Sequence, residues 1–403
     1  MAQSVLVTAM SLDYGGAETH VVDLATELCR RGWHVVVASQ GGRLVPRLPA
    51  GVSHFYSPLH SRSPLDILSA IRILGALVEK EGVRLLHAHG RIPAWVCSHL
   101  QGVSPRLPLV TTYHGVYAAG FPWRLVTRQG DLSIAVSDDV KNHFVSKLGF
   151  DPMRVRVIPN GIDTTRFAPG PYPALRAEIA GREPPRREPP RCEPSGQEAL
   201  GAERAQVVAN ISRMDGPFAD TALALVAALP ALHAQSPGIV ALLVGDGDRF
   251  GDVKSACDAA NRAMGRRAAV AVGGQEDVVP YLLSSDVVVA VARAALEAMS
   301  CGKPVVFAGE GGFRGPIGEG ALDALRRSNF TARGSGEPTT PQALAQAVAT
   351  FLSDPSRARA AGDLGRQIVS SEYSWDVLVK RTLEVYEAAQ DMHVMGEGRD
   401  GRV

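Results

Sequence analysis

The chain has 403 residues, 45% of them apolar and 21% charged, with a formal net charge of +1. That length exceeds one ordinary α/β core and argues for two or three domains. The balanced charge offers no basic stripe for nucleic acid. No apolar run approaches the roughly 18 residues that span a bilayer; the longest, near Ala222–Leu232, is interrupted by Pro230. No basic segment precedes an apolar one at the N-terminus, so no signal peptide is expected. Five cysteines, at 29, 97, 192, 257 and 301, lack CxxC spacing and read as free thiols of a reducing, cytoplasmic compartment.

In chain order, strands are expected near Val5–Thr8, His34–Ala38, Val83–His87, Pro108–Thr112, Leu132–Val136 and Val155–Ile158. Helices lie between them. In Ala17–Arg31, Val21, Leu24, Ala25 and Leu28 share one face and Gly32 closes the end. This alternation specifies a doubly wound parallel sheet, whose ligand crevice lies beyond the carboxyl ends of the strands. Several polar groups fall there. The loop Met10–Glu18 carries Gly15 and Gly16 just before a helix, where missing side chains and the helix N-terminus suit a phosphate or carboxylate. His87 and His89 follow one strand and His114 the next, positions poorly explained as core filler. Metal ligation is the rival reading, but no Asp, Glu or His set at ligand spacing accompanies them, so no metal is expected. Val157–Asp163 adds an Asn-Gly turn after a buried strand.

Composition changes abruptly over residues 181–205, a Pro-, Arg- and Glu-rich stretch with almost no large apolar residue. Such a segment cannot build a core. Residues 171–205 are therefore read as a linker or disordered insertion between an N-terminal domain, 1–170, and a C-terminal domain, 206–370. Limited proteolysis should cut first within 181–205. Deleting Glu183–Glu203 should leave the melting temperature nearly unchanged, whereas a large drop would place the segment on a folded surface.

The strand–helix rhythm then resumes, with strands near Val207–Ile211, Val240–Val244, Ala268–Ala271, Val287–Val291 and Pro304–Phe307. Gly245-Asp-Gly247 follows the second of these, another loop at a crevice edge. The densest signal is Leu296–Val306, LEAMSCGKPVV. Helix formers run to Ser300, Gly302 can take the left-handed conformation that ends a helix, and Pro304 prevents continuation into the next strand. Glu297 is read in the first turn of this helix, where the dipole favours a carboxylate. Arg293 lies four residues earlier on the same face, either in a solvated ion pair or as an anion-binding guanidinium.

Six segments, GGAETH at 15–20, TTYHG at 111–115, IAVS at 134–137, VIPNGID at 157–163, LLVGDGD at 242–248 and LEAMSCGKPVV at 296–306, together resemble the retaining glycosyltransferases of family 4. SEYSWDVLVKRTLEVYEAA at 371–389 is similar to the family's last helix. The resemblance implies the GT-B fold: an α/β protein of two doubly wound, Rossmann-like domains facing each other across a cleft. The helix 371–391 would return to the N-terminal domain, followed by a flexible tail, 392–403. It also implies a nucleotide-diphosphate sugar as donor substrate, transfer with retention, and no cofactor or metal. Gly15 and Gly16 would lie near the donor phosphates, His114 would face the transferred sugar, Arg213 would bind the diphosphate and Glu297 the ribose. Gly245 would border the donor, and His87 and His89 would lie on the acceptor side. The acceptor, whether glycan, lipid-linked or small molecule, is not identified. Loops Leu59–Pro64 and Tyr117–Arg124 would meet it, with Phe121, Pro122 and Trp123 as an apolar lip that touches lipid or packs on the domain. The setting implied is envelope or polysaccharide assembly, in the cytoplasm and at the inner face of the membrane.

Two positions depart from the family pattern. Phe218 stands five residues beyond Arg213, where a lysine is usual, and Val289 stands eight residues before Glu297, where a glutamate is usual. Arg293 would then supply the cation lost at Phe218. The alternatives are a catalytically inert nucleotide-binding subunit, or a sugar-nucleotide epimerase or hydrolase of the same fold.

Overall fold

The computed structural model describes residues 3–101, 107–179 and 205–400. The chain divides into two compact units, Met1–Asp163 with Glu372–Val403, and Thr164–Ser371.

The first unit holds strands β1 (Ser4–Thr8), β2 (His34–Ser39), β3 (Val52–Tyr56), β4 (Leu85–His89), β5 (Leu109–Tyr113), β6 (Leu132–Ala135) and β7 (Val155–Val157). They are all parallel, in the order β3-β2-β1-β4-β5-β6-β7. Helices α1 (Gly16–Arg30), α2 (Pro64–Glu81), α3 (Arg91–Leu100), α4 (Trp123–Val126) and α5 (Asp138–Leu148) connect them. Alternate residues of each strand feed opposite faces. Leu6 joins the core with Val36, Leu74 and Tyr113, while Val5 and Val7 join the other with Leu24, Leu28 and Val35. Burying each such Val or Leu contributes about 1.5–3 kcal/mol.

The second unit holds α6 (Pro173–Ile179), α7 (Ala219–Gln235), α8 (Phe250–Met264), α9 (Val279–Ser284), α10 (Ala292–Ser300), α11 (Glu319–Arg327), α12 (Pro341–Leu352) and α13 (Pro355–Ile368). Its strands β8 (Val207–Ile211), β9 (Val240–Val244), β10 (Ala269–Gly273), β11 (Val287–Ala290), β12 (Val305–Gly309) and β13 (Gly312–Pro316) run in the order β10-β9-β8-β11-β12-β13. Only β13 is antiparallel to its neighbour. Helix α14 (Trp375–Asp400) belongs to the first unit, where Trp375, Leu378, Val379, Tyr386 and Ala389 join the α1 core.

Three features differ from the sequence reading. Residues 173–179 form α6 rather than linker, because Arg176 ties them down. Its guanidinium pairs with Asp286 Oδ2 at 2.5 Å and donates to the carbonyls of Ser284 and Ala205. Residues 181–204 lie outside the described residues. The stretch from Met392, read as tail, continues α14 to Asp400, since no proline interrupts its backbone hydrogen bonds. Finally, Pro230, which interrupts the apolar run in the sequence, lies inside α7 without ending it. Gly216–Gln235 thereby becomes long and apolar enough to cross a bilayer by length and composition, but half of it is buried within the protein. Among the described residues, Cys29, Cys97, Cys257 and Cys301 form no disulfide.

Candidate active site

The winding of each sheet reverses once, between β1 and β4 in the first unit and between β8 and β11 in the second. At such a point the connecting helices leave to opposite faces and open a crevice beyond the carboxyl ends of the strands. Most of the candidate residues lie at one or other of these two points.

In the second unit, the loops after β8 and β9 are bound to each other. Ser212 N–H donates to Val244 O at 3.2 Å and Met214 N–H to Asp246 O at 2.9 Å. Gly245 has φ +152°, and a Cβ there would overlap the Ser212 carbonyl oxygen. Glycine is required by that approach as well as by the backbone angle. A Gly245→Ala variant should lose about 1–3 kcal/mol of stability, read as a lower melting temperature; an unshifted transition would contradict this packing. Arg213 follows β8, and its guanidinium stacks over the Phe218 ring at 4.1 Å. Where the family carries a second cation, this chain thus places an aromatic face under the first, an attraction of about 0.5–2 kcal/mol.

Glu297 does not lie in the first helical turn, as the sequence suggested. Only Val291 separates β11 from α10, so the helix begins at Ala292 and Glu297 is one turn further in. Ala292 takes φ +52° and donates its N–H to Phe330 O at 2.7 Å. The facing segment holds Asn329, Phe330 and Ala332, also at positive φ. Each non-glycine residue so held costs about 1–3 kcal/mol, a kind of strain that gathers at functional sites. Arg293 Nε donates to Glu297 Oε1 at 2.8 Å, and each side chain is only 11% exposed. The solvated-pair reading is therefore replaced by a buried ion pair. Val289 is buried inside β11, where its carbonyl accepts from Asn210 Nδ2 at 2.9 Å. The short strand–helix connection leaves no loop for the family's first carboxylate.

In the first unit, α1 starts at Gly16, and a Cβ on Gly15 would overlap the Glu18 carboxylate. The chain itself thus supplies an anion at this helix N-terminus, where the dipole favours one. His87 is a correction. It lies within β4, fully buried, with Nδ1 2.6 Å from Tyr386 Oη and Nε2 2.7 Å from Thr112 Oγ1. Burial lowers its pKa to about 3, and its two partners make it a core residue rather than an acceptor-side group. His89, the last residue of β4, is also buried, and its Nδ1 stands 3.0 Å from Nε2 of His114, just beyond β5. Burial holds the His89 pKa well below its usual value and lowers that of His114 to about 4, with Asn160 acting in the opposite direction on His114. Both rings are neutral at pH 7, so His114 offers one donor and one acceptor instead of a positive charge.

The sequence reading gave His20 no role, although it closes the GGAETH segment. Its ring centroid lies 5.0 Å from that of His114 and 5.6 Å from that of His89. One nitrogen from each of the three rings lies within 4.8 Å of the others, so a histidine set exists that sequence spacing hid. Nearby, Trp123 is flanked by the guanidiniums of Arg62 at 4.6 Å and Arg91 at 5.0 Å. Phe121 is 85% exposed and Leu125 59%, so the lip at Phe121 faces solvent.

The sequence of the first half matches the family described as Glycosyltransferase Family 4 over residues 14–166, and the second half matches Glycosyl transferases group 1 over residues 205–354. The chain is 26% identical to an alpha-maltose-1-phosphate synthase of Mycolicibacterium smegmatis, covering 93% of this chain and 95% of that one. It is 25% identical to a D-inositol 3-phosphate glycosyltransferase of Kineococcus radiotolerans, covering 97% and 94%. Its fold is similar to that of a glycosyltransferase from Rickettsia africae, with a TM-score of 0.74 at 21% identity over 96% of this chain and 98% of that one. Anabaena HepE, solved in complex with UDP, matches with a TM-score of 0.68 at 20% identity over 96% and 100%. With two doubly wound sheets and family matches across both halves, the chain belongs to the family 4 glycosyltransferases of GT-B fold, as a divergent member.

Proposed function

We propose that this glycosyltransferase moves a sugar from a nucleotide-diphosphate sugar to an acceptor with retention of anomeric configuration, in polysaccharide or envelope assembly in the cytoplasm. The observation that carries this reading is the grouping of Arg213 and Gly245, on the loops beyond β8 and β9, with the Arg293–Glu297 pair on α10, which follows β11 directly. Glu297 would accept hydrogen bonds from the ribose hydroxyls. Arg213 and Arg293 would face the diphosphate, a charge-assisted recognition that guanidinium suits better than ammonium. No metal is then needed for the leaving group.

As the bond from the anomeric carbon to the diphosphate oxygen breaks, its electron pair leaves on the diphosphate. The acceptor oxygen bonds the same face of the carbon and passes its proton to the departing phosphate oxygen. Stabilising that developing charge is where most of the catalysis would come from. His114, neutral and polar, would hold a hydroxyl of the transferred sugar. The exposed Phe121 and Leu125, with Arg62 and Arg91 beside Trp123, would form an acceptor-side lip suited to a lipid-linked acceptor or the membrane surface.

Phe218 and Val289 favour one second reading, a nucleotide-binding subunit without turnover. Thermal-shift measurements with UDP-, GDP- and ADP-sugars test the donor assignment. One base should raise the melting temperature, since ligand at 100 times its Kd adds about 2.7 kcal/mol. HepE's complex with UDP makes uridine the first to try. No shift with any of them would overturn the assignment.

A further inference from the structure

His20, His89 and His114 meet where α1 begins and β4 and β5 end, with one nitrogen of each ring within 4.8 Å of the others. In tetrahedral zinc sites, Zn–N bonds of about 2.0–2.1 Å place imidazole nitrogens roughly 3.4 Å apart, so shifts of about an ångström suffice here. His89 Nδ1 and His114 Nε2 already stand 3.0 Å apart.

That contact leaves chemistry over. Two neutral imidazoles sharing one hydrogen bond retain one unused N–H and one unused lone pair, whichever ring donates. Of the two remaining atoms, His89 Nε2 is buried without a hydrogen-bond partner, while His114 Nδ1 is buried on a ring that also interacts with Asn160.

We propose that His20, His89 and His114 bind a borderline divalent cation of the Zn²⁺, Cu²⁺ or Ni²⁺ class, with water completing the coordination. An all-imidazole set suits these ions, whereas Mg²⁺ and Ca²⁺ require oxygen ligands. A consequence rests on the proposed function: a cation holding His114 prevents its contact with the transferred sugar. The ion therefore inhibits transfer and leaves nucleoside diphosphate binding unchanged.

Co²⁺ tests the site directly, because tetrahedral Co²⁺ absorbs visibly and octahedral aqueous Co²⁺ barely does. Titrated into tag-free, full-length protein, it should give a saturable visible band at one equivalent, displaced by Zn²⁺. His20→Ala and His20→Gln should each abolish the band, as should His89→Ala, with folding confirmed by circular dichroism. The exposed-site variants His60→Ala and His99→Ala should retain it. No saturable band in the wild type, or an undiminished band in folded His20→Gln, would overturn the site. The band needs no nucleotide, so a failed donor assignment leaves this result standing. In the inhibition arm, Zn²⁺ should lower transfer in the wild type while the Kd for UDP stays fixed. Equal Zn²⁺ inhibition in folded His20→Gln would overturn the inhibitory role.

Discussion

Breaking the Arg293–Glu297 pair should cost the second unit about 3 kcal/mol, because removing either side chain takes a charged hydrogen bond from a largely buried group. Both side chains are 11% exposed and joined at 2.8 Å, so solvent cannot replace the lost partner. For a unit of this size the expected fall in melting temperature is roughly 6–12 °C, in Arg293→Ala and Glu297→Ala alike. The double variant Arg293→Met/Glu297→Leu should regain most of that stability, since a packed apolar pair often replaces a buried ion pair without loss. It should not regain ligand binding. Charged hydrogen bonds contribute about 1.5–3 kcal/mol, so loss of Glu297 should weaken both nucleoside and nucleoside diphosphate by roughly 10–100-fold. Arg293→Ala should weaken the diphosphate more than the nucleoside, by at least about tenfold. Calorimetric titration of the single and double variants separates the two roles. Full nucleotide affinity in the double variant would reduce the pair to a structural one.

The second large effect is expected at His114. His114→Ala should lower transfer by about 10²–10⁴-fold, the usual range for a polar or acid–base group at a reacting centre. Nucleoside diphosphate affinity should stay within about threefold, because Arg213 and Glu297 belong to the other unit. Steady-state rates and titration on the same preparation check both. Unchanged turnover would remove His114 from the reaction.

Much of the fold was legible because buried parallel strands read as continuous apolar runs. Val207–Ile211 and Val240–Val244 are β-branched or aliphatic nearly throughout, and β8 and β9 occupy those same residues. Two of the edge strands, β3 and β13, were not legible. β3 is half-buried and includes Ser53 and His54, and β13 contains Gly312, Gly315 and Pro316, which ordinarily signal a turn. β4 runs two residues later than its apolar pattern indicates, because His87 and His89 are polar residues inside the strand and not beyond its end. Tyr386 and Thr112 satisfy His87 inside the sheet, which neither residue's sequence neighbourhood reveals.

The candidate site shows the same division. Gly245 and Glu297 could be singled out because each sits beside a strong local signal, a glycine loop or a helix stop. The stacking of Arg213 on Phe218 was hidden, since Phe218 registered only as a missing lysine. The histidine cluster was hidden by distance along the chain. Its members come from the start of α1, the end of β4 and the residue after β5, and only the winding of the sheet at β1 and β4 gathers them.

Retaining transfer from a nucleotide-diphosphate sugar can be followed directly in solution. Its most direct test is a proton NMR time course with the nucleotide α-glucose whose base stabilises the protein, using water as the default acceptor. Slow release of nucleoside diphosphate should accompany the first appearance of α-glucose, and His114→Ala should abolish both. β-Glucose as the first-formed sugar, or no nucleoside diphosphate release by the wild type, would rule out retaining transfer.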